Sequence, residues 1–247
     1  MADQEGRKFP VVELFGPTIQ GEGAVAGQTS HFVRFGGCGY RCEWCDSMHA
    51  VDPDQWQKTA RYLTADEIAA ELGIFQQAKW VTLTGGDPVI HKLGALVHNL
   101  QTDEFNVAVE TQGQLWQDWL AMCDQVTVSP KPPSSKQPEP DWKVLGRYVD
   151  VCHTNRAPYD RSLCWKVVVF NNKDFDFAED LHARYPTVPM YLTSGTSQGA
   201  LNRGDMRVNI IASFSWAAEE FLKRPSLIDV TLFPQLHALI WGSEKGR

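Results

Sequence analysis

The sequence has no basic cluster. Its 23 lysines and arginines are outnumbered by 30 aspartates and glutamates, giving a formal net charge of −7. Phosphate backbones are held by clustered Lys and Arg, so this balance argues against a nucleic-acid partner. The one basic concentration, Glu244–Arg247 at the C-terminus, reads as a solvated tail. Long apolar runs are also missing: nothing approaches the ~20 residues that cross a bilayer. The first residues, Met1–Lys8, have no apolar centre. No leader and no membrane contact are therefore expected, and the chain is read as cytoplasmic. No repeat or low-complexity tract divides the 247 residues, which are read as a single domain, 1–247. Cysteine is scarce, with six residues. In a reducing compartment these are thiols or metal ligands rather than disulfides. Cys123, Cys152 and Cys164 are scattered and read as packing residues. The other three crowd together.

Hydrophobic residues make up 43% of the chain, enough for a substantial core. Short apolar, β-branched runs predict strands at His31–Phe35, Val81–Thr84, Asn106–Glu110, Val126–Ser129, Trp165–Phe170 and Pro189–Thr193. Thr64-Ala65-Asp66-Glu67 is a capping box opening a helix through about Leu72. Further helices are expected over His91–Leu100, Gln114–Cys123 and Phe175–Tyr185. Lys131–Lys136 and Ser194–Asp205 read as loops. Alternating strands and helices predict an α/β fold with a parallel sheet. Six strands suggest a partial, open TIM-like barrel rather than a closed eightfold one. Polar motif residues then fall at the C-terminal strand ends, the edge where such folds place their sites.

Cys38, Cys42 and Cys45 stand at C-x3-C-x2-C spacing. Three thiolates on one short loop suit three irons of a [4Fe–4S] cluster, with the fourth iron open. A structural zinc site is the alternative; it needs a fourth ligand, for which His49 or Asp46 is available. Thr84-Gly85-Gly86-Asp87-Pro88 follows a predicted strand, and its glycines permit close backbone approach to a ligand.

The Cys loop resembles the signature of the radical S-adenosylmethionine (SAM) superfamily, and Gly85-Gly86-Asp87-Pro88 resembles that superfamily's GGEP element with Asp in place of Glu. Further stretches occur in order: Phe15–Gly23, His31–Cys38, Cys45-Asp46-Ser47, Glu110–Gly113, Ser129–Pro133 and Pro234–His237. Together they are similar to the 7-carboxy-7-deazaguanine synthase family. The resemblance implies a modified radical SAM core. It implies a lyase that converts 6-carboxy-5,6,7,8-tetrahydropterin to 7-carboxy-7-deazaguanine with release of ammonia, using SAM as a regenerated cofactor together with Mg2+. Carried onto this sequence, it implies cluster ligands Cys38, Cys42 and Cys45, and Mg2+ on Ser47. SAM contacts would come from Trp44, Cys45, Asp46, Gly86, Ser129, Pro130, Lys131 and Thr193. Substrate contacts would come from Ile19, Gln20, Gly21, Arg34, Thr84, Glu110 and His237. A flavodoxin or ferredoxin as electron donor and a homodimer are further implications. The sequence departs from the common family form at Thr193–Thr196, where Gln-Pro is usual, and at Ala238, where Lys is usual. Other readings are a different short radical SAM protein, such as a glycyl-radical activase, and a non-catalytic metal-binding module.

Overall fold

A computed structural model describes residues 6–74, 77–152, 162–195, 206–242, 244 and 246. The apolar runs form strands because their side chains alternate between two buried environments. Val81 and Leu83 on one strand, and Val107 and Val109 on the next, enter an apolar core. Thr82, Thr84 and Ala108, between or beside them, face the other side of the pleat and are buried as well. Both faces are therefore covered, as a parallel sheet requires.

Nine strands form one open sheet in the order β3-β1-β2-β4-β5-β6-β7-β8-β9. The strands are β1 (Phe9–Ile19), β2 (Thr29–Phe35), β3 (Arg61–Leu63), β4 (Trp80–Gly85), β5 (Asn106–Thr111), β6 (Gln125–Val128), β7 (Ser162–Val169), β8 (Met190–Ser194) and β9 (Thr231–Leu232). From β2 to β9 every pairing is parallel. All six predicted strands are present within a residue or a few of their expected bounds, and short β9 is added. The chain also forms an antiparallel edge, in which β1 pairs with β2 on one side and β3 on the other. Phe9–Ile19 is interrupted by Gly16-Pro17 and bears register shifts. Those interruptions hide the strand from a periodicity reading.

Helices cover the apolar face. The helix Ala65–Gly73 carries the predicted capping box: Thr64 Oγ1 accepts from Glu67 N at 3.2 Å, and Glu67 Oε2 accepts from Thr64 N at 2.7 Å. Losing such a cap costs about 1 kcal/mol. Ile68 and Leu72 from this helix, and Leu96 and Leu100 from the helix Gly94–Thr102, are fully buried. Truncating one of them to Ala would cost about 2–5 kcal/mol. The helix Asn172–Arg184 starts where the Asn171 side chain accepts from Lys173 N and Asp174 N.

Three expectations need correction. Gln114–Cys123 is not an α-helix; it holds a 3-10 segment at Asp118–Met122. Its polar groups bond locally instead: Trp116 Nε1 donates to Asp118 Oδ1 at 2.8 Å, and Gln112 Nε2 donates to Gln114 Oε1 at 3.2 Å. His91–Leu100 becomes helical only from Gly94, after a 3-10 turn at Pro88–Ile90. The loop read at Ser194–Asp205 begins later, since Ser194 ends β8; residues 196–205 lie outside the described ones. The helices Trp142–Cys152 and Met206–Phe221 were not anticipated from the sequence. Among the described residues, no helix is long and apolar enough to cross a membrane.

Candidate active site

The strand pleat that sends alternate residues to the core sends the others to a pocket. On β2, Val33 and Phe35 enter the core and Arg34 lies between them. Arg34 stands beside Thr84 in the β2–β4 register. Glu110 follows Val109 on β5, and Lys166 sits between Trp165 and Val167 on β7. All four side chains line one pocket on the barrel's inner side.

Most residues named from the sequence meet there. Ile19, Gln20, Gly21, Arg34, Cys38, Cys42, Trp44, Cys45, Asp46, Ser47, Thr84, Gly86, Glu110, Ser129, Lys131 and His237 all line it. Pro130 and Thr193 do not figure in that lining. Both are buried, and Thr193 Oγ1 finds no hydrogen-bond partner among the described residues.

The Cys loop is stitched to the glycine turn. Gly37 N donates to Ala50 O at 2.8 Å, Asp87 N to Gly37 O at 2.7 Å, and Gly86 N to Phe35 O at 3.0 Å. A Cβ on Gly86 would overlap the Gly37 carbonyl, so only glycine allows this approach. Asp87 itself turns inward. Its Oδ1 accepts from Thr111 Oγ1 at 2.8 Å and from Val89 N at 3.2 Å. Burial pushes its carboxyl up to about 6. Asp87 therefore anchors the turn rather than facing the pocket.

The three loop thiols fit an iron–sulfur cluster by donor type. They line one pocket, and Cys38 Sγ accepts from Tyr40 N at 3.4 Å. Burial pushes Cys38 and Cys45 up to about 11 and raises Cys42 as well. Thiols so protonated must release protons when they bind metal. Among the described residues, no three His, Cys, Asp or Glu side chains gather round a single ion.

An aromatic wall and a buried amide oxygen line another part of the pocket. The Trp44 ring lies 4.9 Å from Phe170 and 5.6 Å from Lys131 Nζ, and its Nε1 donates to Ser134 Oγ at 3.0 Å. Lys131 Nζ also donates to Ser129 Oγ at 3.1 Å. Gln112 lines the pocket, and its Oε1 is buried with no partner among the described residues. A buried acceptor left unmet costs about 1–3 kcal/mol, and a ligand ammonium would satisfy it.

Two polar networks fix the remaining walls. Arg34 Nε donates to Glu13 Oε2 at 2.7 Å, and Arg34 Nη1 to Ser47 Oγ at 3.1 Å. Ser47 Oγ donates to Asp46 Oδ1 at 2.9 Å. His49 Nε2 lies 3.3 Å from Glu13 Oε2, and bonding to His49 and the charge of Arg34 hold the Glu13 carboxyl at about 2 against the opposing effect of burial. In the second network, Gln20 Nε2 donates to Glu110 Oε1 at 3.1 Å and Thr84 Oγ1 donates to Glu110 Oε2 at 2.9 Å. Gln20 Oε1 accepts from Glu22 N at 3.2 Å. Glu22 accepts from Lys166 Nζ, and from Gln235 Nε2 at 2.6 Å.

The chain is 39% identical over 242 residues to 7-carboxy-7-deazaguanine synthase of Bacillus subtilis (strain 168), covering 96% of this chain and 98% of the relative. The chain belongs to the 7-carboxy-7-deazaguanine synthase family. The Bacillus cereus member is 39% identical over 243 residues, covering 97% of this chain and 99% of its own. No family model matches the chain. Among solved structures, QueE from Escherichia coli superposes with a TM-score of 0.69 at 23% identity, covering 95% of this chain and 96% of that one. Streptococcus suis SuiB bound to S-adenosylmethionine gives a TM-score of 0.52 at 10% identity, over 82% of this chain and 46% of its own. These likenesses concern the fold, and the open sheet of this family member is the partial barrel expected from its sequence.

Glu13, Glu22, Gln112, Lys166, Phe170 and Gln235 were not singled out from the sequence. Four carried a signal. Lys166 is a charge inside an otherwise apolar strand, and Glu22, Gln112 and Gln235 lie within the stretches Phe15–Gly23, Glu110–Gly113 and Pro234–His237. Glu13 and Phe170 had none, because they meet the site only through tertiary contact.

Proposed function

We infer that this member of the family is a radical SAM lyase of 7-deazapurine biosynthesis, converting 6-carboxy-5,6,7,8-tetrahydropterin to 7-carboxy-7-deazaguanine with release of ammonia. The observation that carries this reading is one pocket holding the three loop cysteines, the glycine turn, Arg34 and Glu110, in a chain 39% identical to named synthases over nearly its whole length. The cluster and SAM supply, when bound, a carbon-centred radical that takes a hydrogen atom from the substrate.

The residues named below do the rest. Cys38, Cys42 and Cys45 hold the cluster. Gly86, with the main chain around it, and Gln112 receive the SAM amino group, while Trp44, Asp46, Ser129 and Lys131 line the space for the rest of it. Arg34, braced by Glu13, offers parallel N–H donors to the substrate carboxylate. Glu110, held between Gln20 and Thr84, accepts from the N–H groups of the bicyclic ring. Ile19, Gly21 and His237 close over that ring. Walls of this kind hold a reactive substrate in one pose and exclude water, which suppresses side reactions.

Mg2+ belongs to the same proposal. Ser47 Oγ donates one hydrogen bond and accepts one, leaving a lone pair for a cation. Mg2+ takes few protein oxygens and completes its shell with water or substrate. We place the chain in the cytoplasm as a single radical SAM domain over residues 1–247, working as a homodimer with a flavodoxin or ferredoxin donor. The continuous sheet supports the domain reading, and among the described residues no helix is long and apolar enough to cross a membrane.

The test is anaerobic incubation of cluster-loaded protein with reductant, SAM and the carboxytetrahydropterin, followed by mass analysis. The expected result is 7-carboxy-7-deazaguanine, with deuterium from substrate C6 appearing in the SAM pool. Consumption of one SAM per product, or no product, would refute the recycling or the reaction respectively.

A further inference from the structure

Lys166 is a charged side chain in the middle of an apolar strand. Its neighbours Trp165 and Val167 are fully buried, and Lys166 is only 9% exposed. A lysine is rarely placed so deep unless it is paired. Here the pair is Glu22, itself 9% exposed, whose other oxygen accepts from Gln235 Nε2 at 2.6 Å. Yet Lys166 also lines the pocket, and Glu110 on β5 adds to the negative potential around its ammonium.

An ammonium has three N–H groups. The bond to Glu22 Oε2 uses one, leaving two for a ligand. Glu110 has an opposite character. Its two oxygens receive Gln20 Nε2 and Thr84 Oγ1, which keep it an acceptor. The pocket thus presents a fixed donor and a fixed acceptor on two strands of its inner wall. The roles are set by these partners: Lys166 carries no acceptor, and both Glu110 oxygens already accept, from Gln20 and Thr84.

We propose that Lys166 is a specificity-determining residue that donates to a ring carbonyl of the substrate while Glu110 accepts from the adjoining N–H, so that together they read a lactam edge. Glu22 is the positioning residue that holds the ammonium in place. The assignment rests on the pterin reading above and deepens it. A lactam offers a carbonyl acceptor beside an N–H donor. The 4-amino analogue offers a donor where the carbonyl was and an acceptor where the N–H was. A pocket built to bond one pattern rejects the other strongly, because its buried groups are then left unmet.

The test is anaerobic calorimetry with cluster-loaded, SAM-bound protein. The probes are 6-carboxytetrahydropterin and its 2,4-diamino counterpart. Wild type is expected to prefer the 4-oxo compound. Lys166→Met should weaken 4-oxo binding by about tenfold to a hundredfold, the range for a charged hydrogen bond, and leave 4-amino binding unchanged or tighter. The preference should therefore fall by at least about tenfold, with the cluster spectrum and SAM affinity retained. Lys166→Gln, a neutral donor, should restore part of it. Since Lys166→Met leaves Glu22 without its counter-charge, the double variant Lys166→Met with Glu22→Met removes both charges and should show the same loss of preference. Equal weakening toward both pterins, or undiminished discrimination in the double variant, would overturn the assignment to Lys166. Failure of wild type to bind either pterin would instead overturn the substrate reading beneath it.

Discussion

Arg34 and Ser47 are hydrogen-bonded to each other, with Arg34 Nη1 donating to Ser47 Oγ at 3.1 Å. The residue proposed for the substrate carboxylate and the residue proposed for Mg2+ are therefore parts of one network, with Glu13 behind Arg34 and Asp46 behind Ser47. Carboxylate and cation are expected to bind cooperatively. Ser47→Ala should flatten the response of turnover to Mg2+. Arg34→Lys should lose about 1–3 kcal/mol of substrate binding, because Lys offers a point charge where Arg offers a planar fork. Glu13→Gln should lose less, since the guanidinium remains. Mg2+ titration of turnover and direct substrate binding measure both; an unchanged Mg2+ response in Ser47→Ala removes that residue from the metal.

The cluster has a separate readout. About four irons per chain are expected after anaerobic reconstitution, and Cys38→Ala, Cys42→Ala or Cys45→Ala should abolish them. Ala at Cys123, Cys152 or Cys164 should not. Those three are about 1% exposed, and none figures in the pocket lining. Iron and sulfide analysis decides, and loss of iron in one of the latter variants would show a wrong ligand set.

SAM affinity should respond to a residue that does not line the pocket. Phe170 backs Trp44 at 4.9 Å, and Phe170 N donates to Asp174 Oδ2 at 2.9 Å. Asp174 Oδ1 in turn accepts from Ser134 N at 3.0 Å, next to the hydroxyl that holds the Trp44 indole. Phe170→Ala should loosen Trp44 and weaken SAM binding several-fold, with iron content unchanged. Equilibrium binding of SAM to the loaded protein tests this; wild-type affinity would separate Trp44 from the SAM site.

The Lys166–Glu22 pair predicts a pH slope. Burial opposes ionisation of Glu22, but Lys166, His237 and the bonds from Lys166 and Gln235 outweigh it and hold the carboxyl at about 2. A carboxyl lowered from its ordinary 4.5 stabilises the fold above that value, and the contribution is lost as pH falls toward 2. Between pH 5 and 8 wild type should show no slope from this pair. In Lys166→Met the sign reverses. Burial is left to dominate, the carboxyl rises above its ordinary value, and stability should fall as pH rises from about 5 toward 8. The loss from breaking a buried pair is about 3–5 kcal/mol. Denaturation midpoints of wild type and variant at several pH values measure it. A parallel pair of curves would mean that Glu22 is not the partner.

Six of the seven parallel strands were legible because each is a short apolar run buried on both faces, and the helix at Ala65–Gly73 because Thr64 and Glu67 form its cap. Strand β1 was not, since Gly16-Pro17 and two register shifts break its alternation. The cysteines and the Gly85-Gly86 turn were legible as local motifs. The partners of Glu13 and Gln235 were not, because nothing near these residues in sequence says what they will touch. Glu13 meets Arg34 only through antiparallel pairing of β1 with β2, and Gln235 meets Glu22 across 213 positions of chain.

That last contact sets an order of events during synthesis. The cluster ligands emerge from the ribosome well before Gln235 does. At about 5–20 residues per second, the thiols wait on the order of ten seconds or more before the Glu22–Gln235 contact can form. For that interval the loop lacks part of the chamber around it. A chain ending before Gln235 should carry all three thiols yet retain the pterin poorly, so the cluster loop is made long before the contacts that complete its surroundings.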